Sequence, residues 1–315
     1  MRSKRMLVGT ACLALLTSAN SSLAGDWPSG LLAKWTAEGS AQDSVGVNHG
    51  TIVGGVGYAR GIKGQAFALD GASGYIDVTN TGDLDFGTND FSICAWVYFA
   101  SSGGGLSTDQ DILQRSLGTY PNDRSYLLEY AATETPPALR FMVRDTSSNK
   151  NDMMLPSPIT VDEWYHIAAV RTGNTNRLFL DGSLLGEQTA GSNMDLGSGG
   201  DIRIGALVHG GPGRYFRGAI DELAVFDRAL TESEIARLAT MPPRLSLRGT
   251  AGQMELSWTS KSNCLYQIQH SPDLSSNSWS SLGGSIVATA SMTVTNDPSF
   301  GQVSQRFYRV MTPEP

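Results

Sequence analysis

The stretch FSICAWVYF, residues 91–99, decides the fold class. Its aromatic and β-branched residues form one apolar run of strand length, which predicts a buried β-strand. Comparable segments recur at residues 65–69, 75–78, 126–130, 139–144, 164–171, 177–180, 201–205 and 217–226. Short strands joined by turns, in a chain with 36 glycines, are typical of a β-sandwich. The sequence therefore predicts an all-β protein.

Two Asp-Gly pairs indicate where the chain turns. Asp70-Gly71 and Asp181-Gly182 each separate two strand-like runs, and Asp-Gly favours hairpin turns because both central residues need positive φ. One helix is predicted, over residues 231–239, where Thr231 and Glu234 have the spacing of a capping box.

The N-terminus has the features of a secretion signal. Arg2, Lys4 and Arg5 precede an apolar run that ends near residue 19, and small residues follow up to Ala24. We expect residues 1–24 to be a signal peptide, because the run is shorter than the roughly 20 residues that span a bilayer. The mature chain is then expected to be secreted or otherwise extracytoplasmic, without membrane insertion.

Charge and cysteine content narrow the partners. Loss of the three basic residues in the signal would take the formal net charge from −7 to −10, which disfavours nucleic acid and anionic membranes. Of the two remaining cysteines, Cys94 lies inside an apolar strand and is predicted to be a buried free thiol rather than bridged to Cys264.

Seven segments appear in a characteristic order at residues 43–50, 61–71, 91–97, 164–168, 178–182, 216–223 and 228–235. Their order resembles the laminin G-like, concanavalin-type jelly-roll family. The resemblance implies two antiparallel sheets over residues 25–240, with ligand-binding loops along one rim.

A second, smaller β-sandwich-like domain is predicted after Pro242 and Pro243, with residues 241–244 as a linker and residues 245–315 as the domain. Residues 266–269, Trp279 and residues 306–310 resemble fibronectin type III-like modules of secreted bacterial proteins. That resemblance implies a spacer or anchoring element.

Adjacent acids in the segment 220–226 are the strongest chemical signal. Strand alternation puts either Asp221 or Glu222 towards the core, and a desolvated carboxylate needs a cation or several donors. The family often places calcium at this point, which makes Asp43, Asn48 and Asp221 the expected ligands. The alternative is that Asp221 pairs with Arg217 or Arg60 and that Asp43 only caps a turn.

Catalysis is not expected. Adjacent strand residues point to opposite faces, so Asp221 and Glu222 cannot flank one glycosidic bond as an acid and nucleophile must. No nucleophile elbow or His-Glu-x-x-His motif is present. A polysaccharide-active enzyme with acids from separate strands stays an alternative.

Aromatic residues suggest where a ligand binds. Trp96 and Trp164 are predicted to be core residues, whereas Tyr120 and Tyr215 lie in turn-rich loops beside Arg124 and Arg214. These four residues are the predicted ligand-binding set. The expected function is a secreted, calcium-stabilised module that recognises a glycan or extracellular matrix; the alternative is a structural or adhesion protein that contacts a cell-surface protein.

Overall fold

The all-β prediction is confirmed by the structure, a computed structural model that describes residues 27–101, 108–117, 124–147, 149–207, 214–240, 245–250, 253–260, 265–275, 278–289, 292–300 and 305–311. The chain divides into two compact units, Trp27–Thr240 and a second one that contains Met241–Pro315. The predicted signal (1–24) and linker (241–244) lie outside the described residues. Nowhere in the described ranges does a helix reach the length and apolarity that crossing a bilayer requires.

The described residues of the larger unit form fifteen strands and one helix. The strands are β1 (Leu31–Trp35), β2 (Gly50–Val53), β3 (Val56–Arg60), β4 (Gln65–Asp70), β5 (Tyr75–Val78), β6 (Phe91–Phe99), β7 (Gln110–Ser116), β8 (Arg124–Ala131), β9 (Ala138–Arg144), β10 (Lys150–Pro156), β11 (Trp164–Thr172), β12 (Thr175–Leu180), β13 (Ser183–Thr189), β14 (Asp201–Ile204) and β15 (Arg217–Phe226). The helix is α1 (Glu232–Leu238).

These strands form two antiparallel sheets. The first sheet has the order β13-β12-β11-β6-β15-β4-β3, with β1 paired to β15, and the second has the order β10-β9-β8-β7-β14-β5-β2. The inner faces of the sheets share one hydrophobic core, in which Phe91 of the first sheet contacts Tyr126 and Phe141 of the second. The architecture is the predicted jelly-roll sandwich.

The outer face of the first sheet is partly covered. Helix α1 begins after Thr231, and the predicted capping box with Glu234 is present. Its Ile235 packs with Phe226 and the buried free thiol of Cys94 in a second hydrophobic cluster. Because α1 is only seven residues long, this cluster occupies one end of the face.

Of the two Asp-Gly turns, one is a hairpin and one is not. Asp181 and Gly182 both have positive φ, 50° and 81°, and join the paired strands β12 and β13 as predicted. The hairpin prediction for Asp70-Gly71 is wrong, because β4 belongs to the first sheet and β5 to the second. Asp70 instead accepts the N–H groups of residues 72–74 and turns the chain from one sheet to the other.

In the second unit, the parts of the chain that the structure describes form seven short strands: β16 (Leu245–Thr250), β17 (Gln253–Thr259), β18 (Leu265–Ser271), β19 (Ser280–Ser281), β20 (Ile286–Val287), β21 (Met292–Asp297) and β22 (Phe307–Met311). Strands β16, β17 and β21 form one sheet, and β18 pairs with β19, β20 and β22. Trp258, Tyr266, Ile268 and Tyr308 belong to its separate core. The relationship to fibronectin type III modules stays a prediction.

Candidate functional site

The uncovered part of the first sheet's outer face holds an open pocket of about 280 Å³. A row of directly paired residues crosses four strands here: Trp164, Tyr98, Ala219 and Ala68. Directly opposed residues of antiparallel strands project to the same face, so two aromatic rings stand beside two methyl groups. The pocket is lined by Ala59, Arg60, Ala68, Leu69, Asp70, Tyr98, Ala100, Trp164, Arg217, Gly218 and Ala219.

The aromatic wall is held by its own contacts. The Tyr98 and Trp164 rings lie 5.6 Å apart at 51°, and the Tyr98 hydroxyl donates to Asp162 Oδ1 at 3.2 Å. Both rings are half-buried. The prediction that Trp164 is a core residue is wrong, because the outer face is open where β11 begins. Trp96, in contrast, is buried as expected and packs against the buried His166.

The pocket floor is made of small residues. Ala59 and Ala68 lie on β3 and β4, and Gly218 and Ala219 lie on β15. Gly218 has φ 139°, and a Cβ there would collide with the carbonyl oxygen of Tyr98. A larger side chain in place of Ala59, Ala68 or Ala219 would fill the pocket, so the depth of the pocket depends on small residues at these positions.

Two arginines and one aspartate form the polar rim. Arg60 and Arg217 are exposed, and neither has an ion pair with any residue that the structure describes. The Asp70 carboxylate is already used: Oδ1 accepts N–H bonds from Ala72, Ser73 and Gly74 at 2.9 Å, and Oδ2 accepts the Ser73 hydroxyl. Desolvation opposes this effect, yet the bonds hold the pKa of Asp70 well below its usual range.

The adjacent acids Asp221 and Glu222 lie on the same face of the sheet. A β-bulge lies between Asp221 and Ala224, Glu222 has φ 49°, and Ile220 and Leu223 both enter the core. The expectation that the two carboxylates point to opposite faces is therefore wrong. The physical reason is that a bulge adds one residue and breaks strand alternation.

Contacts with Lys63 confirm this arrangement. Asp221 Oδ2 accepts the Lys63 N–H at 3.0 Å, and Glu222 Oε2 lies 2.8 Å from Lys34 Nζ and 4.0 Å from Lys63 Nζ. Asp221 has no exposed surface, and burial raises its pKa to about 7. Within the described chain its donors are backbone N–H groups rather than Arg60 or Arg217.

The three expected calcium ligands do not fit a calcium ion as they are arranged. Asp43 Oδ1 accepts the N–H groups of Lys34, Val45 and Gly46 at 2.9–3.0 Å, and Oδ2 accepts that of Asn48 at 3.1 Å. The Asn48 side-chain oxygen accepts the Thr81 hydroxyl. These hydrogen atoms point at the oxygens that a cation would need. The observed geometry matches the alternative in which Asp43 caps a turn, and calcium stays a prediction.

The predicted rim residues are only partly described. Tyr120 lies outside the described residues, as does the side chain of Arg124, and Tyr215 is half-buried. Arg214 contacts three carboxylates: Glu129 most closely, Asp109 at 3.5 Å and Asp111 at 3.8 Å. Its main partner is thus Glu129.

Arg214 belongs to a charge network on the outer face of the second sheet. Glu129 has no exposed surface, and its Oε1 also lies 2.8 Å from Arg140 Nη1. Arg140 in turn binds Asp152 through two bonds of 2.6 and 2.7 Å. Burial acts to lower the pKa of Arg140, yet Asp152 and Glu129 together raise it above its ordinary value. Sequence inspection missed this network, although the lone acid within the apolar strand β8 could have indicated it.

Comparison with known proteins gives the family. The model described as "Concanavalin A-like lectin/glucanases superfamily" (Laminin_G_3) matches residues 70–236, more than half of the chain. Human Pentraxin-4 is 30% identical over 160 residues, which is 47% of this chain. The match spans about 30% of the length of that relative.

Solved structures share the fold. Domain 4 of AbnA, a GH43 extracellular arabinanase from Geobacillus stearothermophilus solved in complex with arabinotriose, has a TM-score of 0.52 and 21% identity, covering 67% of this chain and 98% of that one. The binding domain of Paraclostridial Mosquitocidal Protein 1 has a TM-score of 0.54 and 13% identity, covering 73% and 64%. At these identities the likeness concerns the fold alone. The family match and the sandwich geometry agree, and the chain belongs to the concanavalin A-like lectin/glucanase superfamily.

Proposed function

We propose that the larger unit is a non-catalytic carbohydrate-binding module whose sugar site is the pocket on the first sheet. The observation that carries the proposal is the row of Trp164 and Tyr98 beside an alanine floor, with two exposed arginines at the rim. Aromatic rings provide a flat apolar surface for the C–H face of a sugar, and guanidinium groups donate hydrogen bonds to its oxygens.

Two features of the pocket bear on affinity. Its lining residues lie mostly on strands β3, β4, β6, β11 and β15, so little ordering entropy is lost when a sugar binds. The pocket is also open, and a sugar would keep much of its hydration. We therefore expect dissociation constants in the micromolar to millimolar range, about −8 to −4 kcal/mol.

The acids near the pocket favour binding over hydrolysis. Glycoside hydrolysis needs two carboxyl groups that face the substrate about 5 to 10 Å apart. Asp221 has no exposed surface, Glu222 is paired with Lys34, and Asp70 is engaged in its own turn. The lectin-type family and the arabinotriose complex of the AbnA domain also support a sugar-binding role. The predicted signal peptide would bring the module to extracellular polysaccharides.

The test is glycan binding by the full chain and by pocket variants. A glycan array followed by isothermal titration with the bound sugar should show that Trp164→Ala weakens affinity at least tenfold, about 1.4 kcal/mol, because the stacking surface is lost. Tyr98→Ala should act in the same direction. Tyr75→Ala is the matched control, since Tyr75 is a half-buried tyrosine on the second sheet that stacks against Arg203.

Two other outcomes would contradict this proposal. Unchanged affinity in both pocket variants would move the site away from this face, and a loss in Arg214→Ala or Tyr215→Ala would place it on the predicted rim. No binding by the parent to a broad glycan set would favour the structural or adhesion alternative.

A further inference from the structure

We infer that this pocket selects anionic glycans, with Arg217 and Arg60 as the groups that bind a carboxylate or sulfate on the sugar. The inference rests on the proposed function, because it names the substrate class of the same site. Planar guanidinium groups suit such anions, since two N–H donors can meet two oxygens of one group.

The two pocket arginines lack the carboxylate partner that several other arginines of the described chain have. Arg115, Arg140, Arg203 and Arg214 each have a carboxylate within 3.2 Å, whereas Arg60 and Arg217 have no ion pair with a described residue. The chain carries 30 acidic and 23 basic residues, so acidic partners are in excess. Two arginines without such a partner, both on the rim of one pocket, mark a place where a negative charge can bind.

The neighbouring carboxylate is prevented from competing for Arg217. Asp70 lies directly opposite Arg217 in the β4–β15 ladder, a position where oppositely charged residues commonly pair. The Asp70 oxygens are instead held by Ala72, Ser73 and Gly74. Desolvation acts to raise the pKa of Asp70, but these hydrogen bonds lower it below its usual range. The carboxylate therefore stays ionised and remains bonded within its turn.

The Arg217 side chain also lies close to the turn at Gly71. Gly71, at φ 72°, lets the backbone approach so closely that a Cβ there would lie 2.6 Å from Arg217 Cβ and 3.0 Å from its Nε. Arg217 therefore lines the pocket directly beside this turn. At the other end of the pocket, Asp162 accepts the Tyr98 hydroxyl and the Ser101 N–H. Because Asp70 and Asp162 keep their negative charges, the pocket has no broad positive field. Selectivity for an anionic sugar should therefore depend on its close contact with the arginines.

The experiment compares sugars that differ only in charge. The probes are oligogalacturonides and their methyl esters, and carrageenan oligosaccharides with their unsulfated counterparts, titrated calorimetrically into the full chain at low and high salt. We expect the charged member of at least one pair to bind about tenfold tighter, and this preference to fall with salt because the arginines are exposed. The pair that shows the preference identifies carboxylate or sulfate as the recognised group.

Variants connect the preference to the two arginines. Arg217→Gln and Arg60→Gln should each reduce the preference to about threefold or less, because each weakens binding of the charged member more than binding of the neutral one. Arg177→Gln is the matched control, because Arg177 lies on the same sheet but pairs with Glu187. The control should keep the full preference.

The outcomes separate this inference from the proposed function. Equal affinity for charged and neutral members, with both reduced by Trp164→Ala, would overturn the anionic selectivity and leave the sugar site standing. A preference that survives the double variant Arg60→Gln, Arg217→Gln would also overturn it, because the anion would then bind elsewhere. No binding of any probe would overturn the anionic selectivity, and the proposed function would fall only if the broad glycan set also showed no binding.

Discussion

The pocket on the first sheet and the outer face of the second sheet use charge in opposite ways. On the second sheet, Glu129, Arg140, Asp152 and Arg214 form a network in which the charged groups neutralise one another. On the first sheet, Arg60 and Arg217 line an open pocket and have no ion pair with a described residue. Whether an arginine can bind a ligand thus depends less on which sheet it lies on than on whether a carboxylate of the fold already neutralises it. Arginines with buried partners support the fold, and arginines without them can bind a ligand.

The largest expected effect concerns the buried network. Glu129→Gln leaves Arg140 and Arg214 facing each other without the anion between them, and breaking a buried ion pair in this way costs about 3 kcal/mol. We expect the free energy of unfolding, measured in urea, to fall by about that amount. Glu187→Gln is the control on an exposed pair and should cost less than about 1 kcal/mol.

Sugar affinity should not follow stability in this variant. Glu129 is on the second sheet, so the folded Glu129→Gln protein should bind glycans as the parent does. A loss below about 1 kcal/mol for Glu129→Gln would show that the network is not desolvated as described. A loss of sugar affinity would instead indicate that the second sheet contributes to the site.

A smaller effect concerns pH and two buried groups on the outer face of the first sheet. Burial raises the pKa of Asp221 to about 7 from 3.8, so the folded state holds this proton and Asp221 makes the protein less stable as pH rises from about 4 to 7. Burial lowers the pKa of His166 to about 3 from 6.5, which makes the protein more stable as pH rises over about 3 to 6.5. In the parent the two slopes oppose each other.

Asp221→Asn should remove the contribution of Asp221 to the pH dependence of stability. We expect its stability to increase more steeply than that of the parent between pH 4 and 6.5, by at most about 1.4 kcal/mol per pH unit. His166→Gln should have the reverse effect, since it leaves the Asp221 slope alone. Urea denaturation at several pH values measures both, and profiles parallel to the parent would contradict the buried titrations.

The smallest effect is expected from calcium. The Asp43 carboxylate already accepts four backbone N–H groups, from Lys34, Val45, Gly46 and Asn48. We therefore expect the melting temperature to change by less than about 1 °C between excess calcium and chelator. Calcium at a hundred times its dissociation constant would add about 2.7 kcal/mol, or several degrees for a unit of this size. A shift of that size would support the prediction made from the sequence.

Strands with continuous apolar runs could be predicted, whereas polar ones could not. The predicted ranges for β5, β6 and β15 agree with the structure at both ends. Strand β7, with the sequence QDILQRS, was missed because Gln110, Asp111, Gln114 and Arg115 give it the composition of a loop. Its buried Arg115 is neutralised by Asp85, thirty positions away in the chain. No local pattern carries that information.

The sequence by itself determined the strand class, the Asp181-Gly182 hairpin and the capped helix, because period, turn chemistry and capping act over a few neighbouring residues. Tertiary structure decided where the candidate site lies. Strand alternation predicts that a strand has two faces, but not which part of a face is covered. Helix α1 packs over Phe226 and Cys94 and leaves Trp164 and Tyr98 uncovered. The bulge at Asp221 brought two acids to one face, since an extra residue in one strand resets the alternation that sequence analysis assumes.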